Sequence, residues 1–215
     1  MTARDLATLS QRIVTEFPEY YPMFKEKKFT FNDISQTNRN PLLYSMSSAD
    51  GLKTGHTEKG GYGLVASAVQ KDRRLVLVLN GLKSNRARAR EGERLLNYGF
   101  RNFSVYSLFK AGDVVDSANV WLGVDGKVPL IIKDDVVLSL NRQDRRKMKV
   151  KIIYDGPIPA PVVKGQPIAT LEISARDMKP VTLPLVAGAD IAKLGGVARL
   201  KAAFNYLLMG SAGSE

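Results

Sequence analysis

The chain has 215 residues, 44% of them hydrophobic, which is enough to bury a core as one large domain or two small ones. It has no cysteine and a single histidine, His56, which excludes disulfide scaffolds, thiolate zinc sites, cysteine nucleophiles and His-rich metal centres, and no cofactor is expected. A formal net charge of +11 predicts attraction to polyanions, whether nucleic acid, an anionic membrane face or an acidic cell-wall polymer.

The opening stretch "MTARDLATLSQRIV" has polar residues and an acid where a secretory signal would be continuously apolar, and no apolar run approaches the roughly 20 residues of a membrane span. A soluble chain without an export signal is expected, cytoplasmic if expressed as given. Thr2, then "ARDLATLSQRIVTEF", predicts a one-sided helix with Asp5 completing a capping box, ended by Pro18 and Pro22. "FTFND" and "NRNPLL" read as short extended pieces joined by polar turns. "GYGLVASAVQ" and "RRLVLVLNGL", separated by the charged turn "KDR", read as strands, so the preceding Lys53-Thr54-Gly55 leads into an antiparallel meander. "SNRARAREGERLLNYGF" then has a Ser N-cap and Leu95, Leu96 and Phe100 at helical spacing, predicting a helix that ends near Gly99.

Residues 1 to 102 therefore form an α/β layer of helix, strands and helix. From residue 103 to 189 the text changes to seven short alternating runs, "SVYSLF", "VVDSANVWLGV", "VPLIIK", "VVLSL", "KMKVKIIY", "PIATLEI" and "VTLPLV", with no helix between them. An all-β module, a sandwich or small barrel, is expected, making the chain α+β as a whole. Residues 190 to 215 return to helical spacing at Leu194, Val197, Leu200, Phe204, Leu207 and Leu208, with Lys201 inside the apolar arc, an imperfect amphipathic helix.

The segments "EFPEYYPMFKEKKFTFN", "NRNPLL", "DGLKTGHTEKGGYGLVASA", "RARE" and "LLNYGF", followed by an all-β module and a terminal amphipathic helix, resemble the C-terminal part of a D-alanyl-D-alanine carboxypeptidase, a low-molecular-mass penicillin-binding protein of the serine peptidase group. The resemblance covers essentially the whole chain. It implies that Lys53 supplies positive charge to the catalytic site, that Thr54 offers its hydroxyl to the substrate's terminal carboxylate, and that Gly55 lets the substrate backbone lie against the strand. It further implies that the backbone N–H of His56 is an oxyanion donor and that Arg88 binds the free carboxylate of a carboxypeptidase substrate.

In the family order S-x-x-K and S-x-N come before Lys-Thr-Gly, and neither precedes Lys53 here. "SLFK" (Ser107 to Lys110) and "SAN" (Ser117 to Asn119) match the two patterns, but both lie in strand-period text, whereas the nucleophile needs a helix start, so they read as chance matches. The expectation is a substrate-binding half without the attacking serine, inactive by itself unless complemented. Its apolar faces, including Leu6, Ile13, Val76 and Val78, then need cover from self-association or from a second chain supplying the remainder. The competing reading is a non-catalytic module whose β domain and basic surface dock cell-wall polymer or a partner protein. Nucleic acid is not expected, because the arginines of "RARAREGERLL" alternate with acids and lack a stacking pattern. The resemblance implies a peptidoglycan stem peptide or β-lactam as partner and a periplasmic or cell-envelope setting; the apolar face of residues 191 to 209 reads either as a helix lying on a membrane surface or as one that docks back onto the β module.

Overall fold

The computed structural model describes residues 1–176 and 178–198, and the chain divides into two compact units after Phe103. In the first unit, α1 (Ala3–Glu16) starts at a reciprocal cap: the Thr2 N–H donates to Asp5 Oδ2 at 2.7 Å and the Asp5 N–H to Thr2 Oγ1 at 3.2 Å. A 3-10 turn, Tyr21–Lys25, takes Pro22 in its first turn, where no amide is needed. β1 (Lys28–Phe31) and β2 (Ile34–Thr37) form a hairpin whose two turn residues, Asn32 and Asp33, both have positive φ, the twist that suits flanking strands. "NRNPLL" is not extended: Pro41 opens a short helix, α2 (Leu42–Ser45), because buried Asn40 accepts the Leu42 N–H and donates to the Gly51 carbonyl.

β3 (Ala49–Thr57), β4 (Gly61–Gln70) and β5 (Arg73–Leu82) make an antiparallel sheet in that order, with Lys71 and Asp72 as a second positive-φ turn. α3 (Asn85–Asn102) is capped by Ser84, which accepts the Ala87 N–H at 3.0 Å. It runs past Gly99 rather than ending there, since Gly99 is where the helix lies against Leu75. One face of the sheet packs on α2 and α3 through Leu42, Leu64, Ala66 and Leu96. The other carries α1, and Leu6, Ile13, Val76 and Val78 are half-buried there, so α1 supplies part of the cover those side chains need.

β6 (Phe103–Phe109) starts at the last residue of the first unit, runs into the second and pairs with β9 (Val136–Asn141). β7 (Val114–Trp121), β8 (Lys127–Ile132), β10 (Lys149–Ile153), β11 (Ile158–Pro159), β12 (Pro167–Ala175) and β13 (Met178–Ala187) form one sheet in the order β10-β12-β13-β8-β7-β11. Leu130, Leu171, Ile173 and Leu185 are fully buried at its centre. The expected seven strands are present, but β11 adds to them and a short helix, α4 (Arg142–Lys147), interrupts the run. α4 forms because Asn141 and Asp144 cap each other: the Asp144 N–H donates to Asn141 Oδ1 at 2.8 Å and Asn141 Nδ2 to Asp144 Oδ2 at 2.7 Å. Ser107 lies inside β6 and Ser117 to Asn119 inside β7, so neither serine opens a helix.

Helical structure does not begin at residue 190. Ile191 and Lys193 bridge to Val162 and Gly123, and Ile191 is buried, which ties the segment into the β module; a helical turn appears at Gly196–Ala198. The remainder of the expected amphipathic helix, residues 199–215, lies outside the described residues.

Candidate functional site

Lys53, Thr54, Gly55 and His56 all lie on β3, an outer strand of the three-stranded sheet. Successive strand residues face opposite ways, and the burial pattern follows: Lys53 is exposed and Thr54 is buried. Across the ladder Thr54 is paired with Leu64, which is in the core beneath α3, while Lys53 is paired with Val65 on the side of α1. The pleat therefore sends the side chains of Lys53 and Thr54 to opposite sides of the sheet. Arg88 belongs to the α3 side, while Thr54, buried against that side through its partner Leu64, also lines the cleft on the α1 side. The Lys53 ammonium faces α1 and donates to the Thr54 carbonyl at 2.7 Å.

On the α1 side a cleft of about 380 Å³ opens between α1 and the sheet, reached by Leu9, Ile13, Lys53, Gly55 and Asn80. Glycine at 55 is not demanded by the packing of this unit: a Cβ added there would meet no described atom within 4 Å, and its φ is not positive. The missing side chain therefore leaves free volume on the outer strand beside Lys53. Asn80, on β5, was not singled out by sequence reasoning, because an asparagine inside a strand carries no local signal of what it faces.

Arg88 is a buried cation that belongs to the first turn of α3. Its Nη1 donates to the carbonyls of Gly55 at 3.4 Å and Gly63 at 3.5 Å, and its Nη2 to the Arg39 carbonyl at 3.4 Å and Asn85 Oδ1 at 2.8 Å. The guanidinium lies 5.6 Å from the Tyr62 ring centroid, and Nε is buried without a partner. Burial pulls the Arg88 pKa below its usual value, with the Tyr62 phenol opposing the shift, and an arginine so placed stays charged. Arg88 thus meets Gly55 through its carbonyl, a contact between predicted site residues on different elements. Asn85, three residues before Arg88 on one helix face, is a partner that spacing alone makes readable. The His56 ring stacks on Tyr62, its cross-strand neighbour, with centroids 4.0 Å apart.

A second polar group lies beneath the other end of β3. Arg74 pairs with Asp50 at 2.7 Å and donates to Tyr21 Oη at 2.9 Å and Ser67 Oγ at 2.5 Å, while the Tyr21 hydroxyl donates to Asp50 at 2.9 Å. Burial is the main cause that pushes the Tyr21 phenol up to about 12. Every member has a partner, so the network fixes the turn Tyr21–Lys25 against the start of β3. Among the described residues no group of three or more acidic, histidine or cysteine side chains is placed to hold a metal ion.

Residues 1–84 match the family described as D-alanyl-D-alanine carboxypeptidase, and residues 103–193 match the penicillin-binding protein 5 C-terminal domain. The D-alanyl-D-alanine carboxypeptidase DacD of Salmonella typhimurium is 36% identical over 207 residues, covering 95% of this chain and 53% of the relative. DacA of Escherichia coli K12 is 38% identical over 172 residues, 79% of this chain and 43% of the relative. Among solved structures, penicillin binding protein 5 from Haemophilus influenzae aligns with a TM-score of 0.72 at 34% identity, over 89% of this chain and 57% of that one. The chain spans about half the length of the curated relatives it matches.

Proposed function

The chain belongs to the D-alanyl-D-alanine carboxypeptidase family, and from that membership we propose that its first unit is the Lys-Thr-Gly side of a serine-type carboxypeptidase groove for peptidoglycan stem peptides ending in D-alanine. In that reaction a serine hydroxyl attacks the penultimate carbonyl, the C–N bond breaks with release of D-alanine, and water cleaves the resulting ester. The serine and its activating lysine belong to S-x-x-K, and neither that motif nor S-x-N occurs in the sequence before Lys53. What this stretch contributes is binding and polarisation.

Gly55 carries the reading: an outer-strand glycine that neither backbone angle nor packing requires, beside the Lys53 ammonium. A substrate backbone can lie along β3 there, its carbonyl oxygen meeting the His56 N–H as one oxyanion donor. Lys53 contributes positive charge at the reacting centre, and Thr54 and Arg88 hold the terminal carboxylate from the α3 side. In this structure the Arg88 fork is engaged with carbonyls, three of its four bonds being long, so taking a carboxylate requires exchange of the Gly55 and Gly63 contacts.

Two measurements test this. Incubation with a labelled penicillin, read on the intact mass, is expected to leave the 215-residue chain unmodified and to acylate a chain pair in which S-x-x-K and S-x-N are supplied. In the complemented enzyme Thr54→Val is expected to weaken stem-peptide binding by about tenfold, the loss of one hydrogen bond to a charged group, while the fold is kept. Unchanged turnover by Thr54→Val would remove the hydroxyl from the binding scheme.

A further inference from the structure

The net positive charge of the β module is concentrated at one end. Arg142, Arg145, Arg146, Lys147, Lys149 and Lys151 occur within ten residues of α4 and β10, and all six are exposed. The acid in that stretch, Asp144, is turned inward and occupied by Asn141. The register Lys149↔Ser174 and Ala175↔Met178 brings the start of β10 beside the β12–β13 turn, so exposed Arg176 and Lys179 join the same end. Glu172 faces Lys151 across the ladder, yet among the described residues no ion pair engages any of these eight cations. Arg145 rests 5.4 Å from the centroid of Tyr106. Eight cations outnumber the acids Glu172 and Asp177 that the same strands and turn carry in sequence, and their mutual repulsion is a cost that an anionic partner relieves.

We propose that this end of the β module is a docking surface for a carboxylate-bearing polymer, which on the functional reading above, and resting on it, is peptidoglycan. Arginine forks match carboxylates bidentately, and five of the cations sit on one short helix and the strand start that follows it, an array suited to repeated carboxylates rather than to one small ligand. A bilayer is disfavoured by position. The chain beyond Ile191 leaves from the far end of β13, and ten strand residues put about 30 Å between that exit and the cations. Single-stranded nucleic acid is disfavoured because Tyr106, a ring in contact with the cluster, already has Arg145 over its face.

The test compares two variants of equal net charge in co-sedimentation with purified peptidoglycan. One carries Arg146→Ser, Lys147→Ser and Lys149→Ser; the other carries Lys110→Ser, Lys133→Ser and Lys164→Ser, exposed lysines elsewhere in the same module. Circular dichroism and thermal melts establish that both fold. The first is expected to bind about tenfold less tightly at low salt and to show a salt dependence reduced by roughly the share of cations removed, while the second stays within about twofold of the parent. Amidating the polymer's carboxylates is expected to abolish the difference. Equal losses in the two variants would reduce the effect to net charge and overturn the proposal. So would binding that depends on the first three residues but prefers anionic vesicles or nucleic acid to peptidoglycan. Failure of the groove reading is seen separately, in Thr54→Val, since that variant leaves the β module untouched.

Discussion

Arg88 holds together the two strands and the loop it reaches, whatever its role toward substrate. Removing the guanidinium leaves the carbonyls of Gly55, Gly63 and Arg39 without their buried donor, and Arg88→Ala is expected to cost on the order of 1–3 kcal/mol in urea denaturation. Arg88→Lys should recover only part of this, because one ammonium cannot reach both sides of the fork. Equal midpoints for all three proteins would mean that the guanidinium has no structural weight. Tyr21 gives a pH dependence. Its phenol is pushed up to about 12 in the folded state, above the ordinary value of about 10, so folding favours the protonated form. The stability it contributes is fully present below about pH 10 and is lost as pH rises from there through about 12. Phenolate absorbance should show a late-ionising tyrosine that disappears in Tyr21→Phe, and its persistence there would assign it to another residue.

The helices and strands of the first unit are set by local chemistry where it is strong and by tertiary contact where it is weak. Capping residues and turn residues with positive φ mark α1, the β4–β5 hairpin and α3, and these elements were legible. "NRNPLL" was not, because its helix depends on Asn40 bonding across to Gly51, a contact eleven residues away. α4 was missed for a different reason: its signal, Asn141 with Asp144 three residues on, is present, but six residues are too few to show helical periodicity. The extent of α3 was set by its packing, and Gly92 and Gly99 are both points of close approach. A Cβ at Gly92 would lie 2.8 Å from Leu64 Cδ2 and 3.2 Å from Leu42 Cδ1. Gly92→Ala gains helix propensity of about 1 kcal/mol, yet the overpacking should outweigh it and lower stability by about 1–2 kcal/mol net. A rise in the thermal midpoint would show that Leu42 and Leu64 can move aside.

At the scale of the molecule, each unit has its own hydrophobic cluster, one around Leu64 and Leu96 and one around Leu130 and Leu171. Separate cores predict separate cooperativity. Calorimetry of the whole chain is expected to resolve two transitions, and the segment from Ser104 onward should unfold cooperatively alone at the midpoint of one of them. A single transition that neither segment reproduces would mean that the two cores depend on each other. Charge also has structure at this scale: the composition gives +11 without saying where, and only strand register gathers Arg176 and Lys179 beside α4.

The sequence alone determined the family, through long unambiguous segments around Lys53-Thr54-Gly55, and most elements, through periodicity, caps and turns, which are local properties of the chain. It could list Lys53, Thr54 and Arg88 as one group but could not say which face each would occupy. That was decided by the pleat, which sends adjacent side chains of β3 to opposite sides, and by a helix contact 33 residues along the chain that puts Arg88 against the Gly55 carbonyl. Long-range contacts of this kind depend on the assembled layers, and no window of sequence contains them.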